Sequence, residues 1–383
     1  MNKIKYFFIL LIAGAALVSC NKDDDDDEVV VVPLRDYQEQ YEADNDSIEK
    51  YLKTHYIEEV TADFDIKITK IPAGGTQESI FSQTQYPLQT RDVYNDNITY
   101  KVYYLVLNEG TGESPCNFDR INAAYVGNLL DGTVFDTSDN LGRTFDLDAG
   151  VNLIDGWKEI FPKLRAGKAE PVNDDGTITY SDFGAGVMFL PSGLAYYSGG
   201  SGEIKAYSPL VFSVKLYDIQ RLDHDGDGIL DINEDINGDG YVYDFRNKEL
   251  YANPPAELID DTDGDGLADF IDTDDDGDGY TTLLEITKPT GKVGRVMEDG
   301  VEVNYGPSKY FPFEKFDVVD DPATPNTNEF FNTEPKGIPA FVKTETVGGV
   351  TRNVYDYETL GRKKIHLDKD HNTTKVTTVT TKK

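Results

Sequence analysis

The sequence predicts an α+β protein: a short helix packed on an antiparallel sheet, with another helix ahead of it and a loop-rich acidic segment behind. Three observations predict this. Between residues about 97 and 220 lie several strand-length apolar runs bounded by turn residues. A stripe at helical spacing, Ile154, Trp157, Phe161 and Leu164, interrupts them. From 221 to 285 the apolar rhythm gives way to aspartates at alternate positions. The 383 residues are 39% hydrophobic, enough for two or three units with at least one real core. With 36 basic against 70 acidic residues the net charge is −34. That balance disfavours nucleic acid and anionic membrane surfaces as partners and favours cations, or simply solubility. Four His and two Cys are too few for a typical zinc or disulfide framework.

Residues 1–19 read as a secretory signal. Lys3 and Lys5 precede an unbroken run of apolar and small residues from Phe7 to Val18, shorter than the roughly 20 residues a membrane-spanning helix needs. Its end, Leu17-Val18-Ser19-Cys20, resembles a bacterial lipobox. That resemblance implies lipid on Cys20 and a mature chain starting there, anchored to the membrane. Residues 20–33 hold Asp23 to Asp27 and read as a solvated spacer. The order Cys-x-Lys-Asp-Asp is similar to a surface-export signal of some Gram-negative lipoproteins. The expected location is the outer membrane, on its periplasmic side or at the cell surface. With Cys20 lipidated, Cys116 reads as an isolated thiol rather than a nucleophile.

Residues 34–96 open with a helix over about 34–56, where Tyr37, Tyr41, Ile48, Tyr51 and Leu52 fall at helical spacings. Asp46 or Ser47 could cap a second helical piece. This helix is either an arm for dimerisation or clients, or a layer packed on the next domain. Residues 57–96 suggest weak strands, such as Phe64-Asp65-Ile66-Lys67-Ile68, among polar loops. In residues 97–220 strands are expected at Thr99 to Leu107, Ile121 to Val126, Val134 to Asp136, Phe145 to Leu147, Gly186 to Leu190 and Leu210 to Leu216. Asp131-Gly132 is a hairpin signal between the second and third of them.

The same stretch closely resembles the FKBP-type peptidyl-prolyl isomerases. The matching blocks are Ala124-Tyr125-Val126-Gly127, Leu130 to Ser138, Phe145, Gly150, Leu153-Ile154-Asp155-Gly156-Trp157, Gly167-Lys168, Pro191 to Tyr196 and Pro209 to Phe212. The resemblance implies an FKBP-like antiparallel half-barrel sheet wrapped over the short helix, with an aromatic pocket for proline between them. It places Trp157 at the pocket floor and Tyr125, Phe135, Phe145 and Phe212 in its walls. Leu153, Ile154 and Ile204 form the rim, and Asp136 is the polar neighbour. The Ile154 N–H and the Tyr196 hydroxyl would bond peptide carbonyls. Catalysis of this kind needs no cofactor. Three departures stand out: Tyr197 for a glycine, Lys205-Ala206 for a proline pair, and an insertion near 169–184. They bear on the flap and on substrate selection.

In residues 221–285, 21 acidic and 3 basic residues carry more than half of the net charge. Asp223, Asp225, Asp227, Asp231 and Glu234 stand at positions 1, 3, 5, 9 and 12 of a calcium-loop pattern, with Gly228 at 6. Asp261, Asp263, Asp265, Asp269 and Asp272 repeat it, and Asp274, Asp276, Asp278 and Glu285 repeat it again. Asp235, Asn237 and Asp239 form a partial copy without the terminal acid. No helix-length pattern flanks these loops, so they resemble thrombospondin type 3 or dockerin-type loops rather than EF-hands. The resemblance implies structural calcium, compact loops and little core of their own, a segment that calcium stiffens into a spacer. Residues 286–383 read as loop-rich, with a frayed Thr-, Val- and Lys-rich tail.

The expected function is peptidyl-prolyl isomerisation on proline-containing polypeptides, assisting exported proteins at the envelope. The alternatives are a non-catalytic proline-peptide binding module and a calcium-stiffened surface structural or adhesion protein.

Overall fold

The computed structural model describes residues 34–138, 140–148, 153–298, 300–311, 337–357 and 359–370. The signal segment, Cys20, the acidic spacer up to residue 33, Gly150, the loop at Asp320 to Asn326 and the tail from Lys375 lie outside the described residues.

Helix α1 spans Tyr37–Thr54. Asp36 caps it by accepting the Glu39 N–H at 3.0 Å. The anticipated break at Asp46-Ser47 does not occur. The Ser47 hydroxyl bonds back to the Ala43 carbonyl at 2.9 Å, so its own turn satisfies it. Strands β1 (His55–Val60) and β2 (Ile66–Lys70) follow as a hairpin.

The main sheet has seven antiparallel strands: β3 (Gln89–Asn95), β4 (Ile98–Asn108), β5 (Arg120–Leu129), β6 (Val134–Thr137), β7 (Arg143–Asp146), β10 (Gly184–Leu190) and β11 (Leu210–Gln220). Their order is β3-β4-β10-β11-β5-β6, with β7 also on β5. The sheet therefore starts at Gln89, ahead of the boundary expected near 97. Asp96 and Asn97 turn β3 into β4 with φ of 52° and 61°, the left-handed pair that tight hairpins favour. Between β7 and β10 come α2 (Asp155–Ile160) and the two short strands β8 (Lys168–Ala169) and β9 (Tyr180–Ser181). This small hairpin accounts for the insertion near 169–184.

Strand β10 is buried along its whole length because both sheet faces are covered. One face packs Met188, Val102, Tyr104 and Phe212 against Trp157, Ile160, Phe161 and Leu164. The other packs Val187, Phe189, Tyr103 and Leu105 against Ile48, Tyr51 and Leu52 of α1. Of the two readings of the N-terminal helix, packing on the domain is what the chain does.

The acidic segment departs from expectation. Expected as a spacer with little core of its own, it shares a core with the domain. Val242, Ala268 and Phe270 are buried with Cys116 and Phe118 of the domain. Among the described residues beyond 286 two hairpins stand where loops were expected: β12 (Arg295–Glu298) with β13 (Val301–Asn304), and β14 (Ala340–Val347) with β15 (Val350–Asp356). Ile286, Phe311, Ile338 and Ile365 close a further core around Ile229 of the acidic segment. These apolar residues are too widely spaced in sequence to show a local period.

Candidate active site and acidic loops

Helix α2 begins where Ile154 leaves an extended conformation (φ −75°, ψ 140°). A Cβ at Gly156 would collide with the Leu190 side chain, so glycine lets the helix lie close against β10. This sets Trp157, 3% exposed, under the sheet. Four aromatic rings surround it at centroid distances of 5.0 Å (Tyr125), 5.1 Å (Phe145), 5.5 Å (Phe212) and 5.3 Å (Phe161). Phe135 meets Phe212 edge-on at 5.5 Å. Phe212 pairs across the sheet with Gly127, where a Cβ would strike the Phe135 ring. Leu153, Ile154 and Ile204 pack on the same cluster. The Tyr125 hydroxyl donates to Asp136 Oδ2 at 2.6 Å, and burial together with that bond pushes the Tyr125 hydroxyl up to about 12. Tyr196 is 38% exposed, and burial and then the Asp136 charge raise its pKa. All ten sequence-predicted pocket residues thus lie in or beside one aromatic cluster.

Residues 112–217 match the family model of the FKBP-type peptidyl-prolyl cis-trans isomerases. This segment is an FKBP-type domain. Residues 224–326 match a second family model, described as BamM C-terminal. The FKBP-type peptidyl-prolyl cis-trans isomerase FkpA of Aeromonas hydrophila is 37% identical over 126 residues, 32% of this chain and 40% of that protein. The FKBP-type 22 kDa isomerase of Escherichia coli is 33% identical over 117 residues, 30% of this chain and 48% of that one. The outer membrane protein MIP of Legionella longbeachae is 29% identical over 121 residues, 31% of this chain and 44% of that one. The chain spans less than half the length of each of these relatives.

Two supports of the FKBP-type pocket escaped the sequence reading. The first is a latch on the flap. Asp44 of α1, buried, accepts the Ser192 N–H at 2.7 Å and the Ser192 hydroxyl at 2.6 Å. Tyr197 has a left-handed backbone, at φ 41°. Its ring stacks on Tyr37 at 4.4 Å and meets Tyr207 edge-on at 5.1 Å, contacts that offset strain of about 1–2 kcal/mol. The second is a brace behind α2. Glu159, 1% exposed, pairs with Arg91 Nε at 3.0 Å and accepts the Tyr243 hydroxyl at 3.0 Å. The Tyr241 hydroxyl donates to the Glu159 carbonyl at 2.8 Å while Arg91 lies 3.3 Å over the Tyr241 ring. The alternating aromatics Tyr241, Tyr243 and Phe245 were the available signal, hidden within an acidic segment. Cys116 is buried, its thiol donates to Asn117 at 3.3 Å, and burial raises its pKa, so it is poorly suited to act as a nucleophile.

The four acidic loops share one hydrogen-bonding plan. Asp223, Asp235, Asp261 and Asp274 each accept the N–H of the glycine five positions on, at 2.6–3.1 Å. Those glycines stand at φ 88–100°, a region closed to most side chains. Asp225, Asn237, Asp263 and Asp276, then Asp227, Asp239, Asp265 and Asp278, each accept the N–H two positions on. The second oxygens of Asp225, Asp227, Asp274 and Asp276 are buried without a protein partner. Three carboxylate clusters result: Asp225, Asp227, Glu234 and Asp275; Asp261, Asp263 and Asp265; and Asp274, Asp276 and Asp278. Burial and then the facing carboxylates push Glu285 up to about 9, with Asp276 first among them. Burial and the Asp265 and Asp263 charges likewise raise Asp272.

Two expected ligands take another role. Asp231 accepts the His224 N–H at 3.0 Å and holds its imidazole at 2.6 Å, and Asp269 accepts the Thr262 N–H and hydroxyl at 2.8 and 2.7 Å. Both side chains close their loops instead of joining a cluster. Thr282 occupies the same place in the third loop, accepting the Asp275 N–H at 3.3 Å. In the partial copy, Asp260 from a later segment does so, accepting the Ile236 N–H at 3.0 Å. Oxygen-only donor sets with buried, unpartnered carboxylates fit a hard divalent cation.

Proposed function

We propose that the FKBP-type domain catalyses cis–trans isomerisation of Xaa–Pro bonds in polypeptides. The observation that carries the reading is the buried Trp157 indole ringed by Tyr125, Phe145 and Phe212, with the Tyr125–Asp136 pair at its edge. The barrier to rotation is about 18–20 kcal/mol because amide resonance must be broken. An apolar pocket removes water from the prolyl amide, whose planar, polar form water favours. A site that fits the twisted amide better than either planar form lowers the barrier without covalent chemistry. In this reading Trp157 seats the proline ring and the surrounding aromatics exclude water. The Ile154 N–H and Tyr196 hydroxyl hold the flanking carbonyls, and Asp136 orients Tyr125.

The protein acts at the bacterial envelope, held by lipid on Cys20, where slow prolyl isomerisation delays the folding of exported proteins. The lipobox-like run and the name of the Legionella longbeachae relative support that location. The acidic loops hold calcium as a structural ion. Asp223, Asp225, Asp227, Glu234, Asp261, Asp263, Asp265, Asp272, Asp274, Asp276, Asp278 and Glu285 supply the oxygens, and Asp235, Asn237 and Asp239 form a weaker site. Calcium there neutralises repelling carboxylates and fixes the loops.

The test is exchange of a short Xaa–Pro peptide measured by NMR with the mature chain carrying Cys20→Ser, in calcium and in chelator. Acceleration that disappears in Trp157→Ala while the protein stays folded supports the reading. A folded protein that accelerates nothing in either condition removes it. The latched flap favours the second reading, a proline-peptide binding module, which the same samples would reveal as peptide binding without acceleration.

A further inference from the structure

We propose that Asp275, from the third acidic loop, completes the calcium site of the first, so that one ion staples two loops about fifty residues apart in sequence. The inference rests on the calcium reading above and assigns a ligand that the loop pattern does not contain: Asp275 stands at position 2 of its own loop, where any residue is allowed.

The geometry carries it. One carboxylate oxygen from each of Asp225, Asp227, Glu234 and Asp275 lies within 4.8 Å of the others. Asp227, Glu234 and Asp275 are 2%, 3% and 1% exposed. Both oxygens of Glu234 and both of Asp275 are buried without a hydrogen-bond donor. A buried carboxylate lacking a donor costs several kcal/mol unless a charge compensates it, and here two sit together beside two more acids. A divalent cation at the centre removes the whole conflict. Four carboxylates, one binding through both oxygens, supply five of the six to eight oxygens calcium takes, leaving the rest to water or backbone carbonyls.

The arrangement ranks the sites. The cluster of Asp261, Asp263 and Asp265 is more exposed and holds three acids from a single loop. Affinity rises with the number of charged ligands and with site rigidity, so the stapled site is the tightest of the three clusters. Asp275 also lies between Asp274 and Asp276, which face the third cluster. The two ions therefore sit on either side of one short stretch of backbone, and filling the first orders the second.

The experiment is calcium titration by calorimetry of the full mature chain, with Asp275→Asn beside the native protein. Asp244→Asn serves as the charge control, since Asp244 pairs with Arg246 outside the clusters. The expected result is loss of the tightest binding step in Asp275→Asn, at least a tenfold fall in affinity, and no change in Asp244→Asn. Glu234→Gln, on the other side of the ion, must lose the same step, and the double variant must lose no more than either single one. That comparison decides the matter if Asp275→Asn folds poorly. If the native chain binds calcium and both Asp275→Asn and Glu234→Gln bind it equally well, the staple is wrong while the calcium reading stands. If the native chain binds none at millimolar calcium, both fall.

Discussion

The pocket around Trp157 and the cluster around Glu234 are both buried assemblies, and they are built on opposite principles. The pocket is aromatic, and its acid Asp136 already receives the Tyr125 hydroxyl. Apolar burial and ring contacts hold it together. The acidic cluster is a set of like charges that the protein alone does not reconcile. A site of the first kind is stable as folded and lends its surface to passing ligands. A site of the second kind is finished only by what it binds. Glu159, bonded to Tyr241 and Tyr243, ties the domain that holds the first to the acidic segment that holds the second.

The largest effect expected from breaking this contrast comes from removing calcium. At a hundredfold excess over Kd each site contributes about 2.7 kcal/mol, so chelator should lower the melting temperature well beyond any single substitution and open residues 221–285 to protease. A melt and digestion pattern identical in calcium and chelator would place the acidic loops on the same footing as the pocket. Trp157→Ala comes next. It empties the pocket floor, at about 3–5 kcal/mol of folding stability, and should cut isomerase turnover at least tenfold at a temperature where the chain remains folded. Full activity in a folded Trp157→Ala protein would show that the aromatic cluster is ordinary core.

Glu159→Ala attacks the joint itself. It leaves the Arg91 charge buried behind α2 without its counter-ion, a loss of about 3–5 kcal/mol by the usual cost of breaking a buried pair. Denaturant melts should show it, with a smaller fall in turnover because no pocket ring is touched. The smallest effect is expected at Asp96, which accepts the Tyr100 hydroxyl at 2.8 Å and is pushed up to about 6 by burial. Its folded pKa lies above its unfolded value, so the folded state binds the extra proton. The stabilisation is complete below about pH 4 and is lost as pH rises through about 6. Asp96→Asn should therefore melt higher than the native chain at pH 8 and together with it near pH 4. Equal melting at both pH values would mean that this acid, unlike the loop carboxylates, feels no burial.

The two regions also differed in how far their sequence could be read. The aromatic cluster was legible through the resemblance to the FKBP-type isomerases, whose blocks appear in order around Tyr125, Phe135, Trp157 and Phe212. The loops were legible to the level of the single loop, because Asp223 to Gly228 and its copies close their own hydrogen bonds within six residues. What joins the parts was not. Asp44 with Ser192, Glu159 with Tyr243, and Glu234 with Asp275 are separated by some 40 to 150 residues, and nothing local marks the members of each pair as partners. The beginning of the sheet at Gln89 was missed for a related reason: its turn uses Asp96-Asn97 without the glycine that usually announces one. The cores under 221–383 were missed because each loop contributes one or two apolar residues, too few to form a pattern.

The brace behind α2 has a consequence for the order of events as the chain emerges. The blocks that form the pocket are complete by Gln220, yet the outer face of the helix carrying Trp157 is covered by Tyr241 and Tyr243. A chain delivered from its N-terminus presents the pocket before it presents the cover. Until residues 241–243 have arrived, Glu159 and Arg91 are a hydrated pair on an open surface. Their arrival turns that pair into part of the interior. The chain's own final step thus waits on a stretch that contributes nothing to the pocket walls.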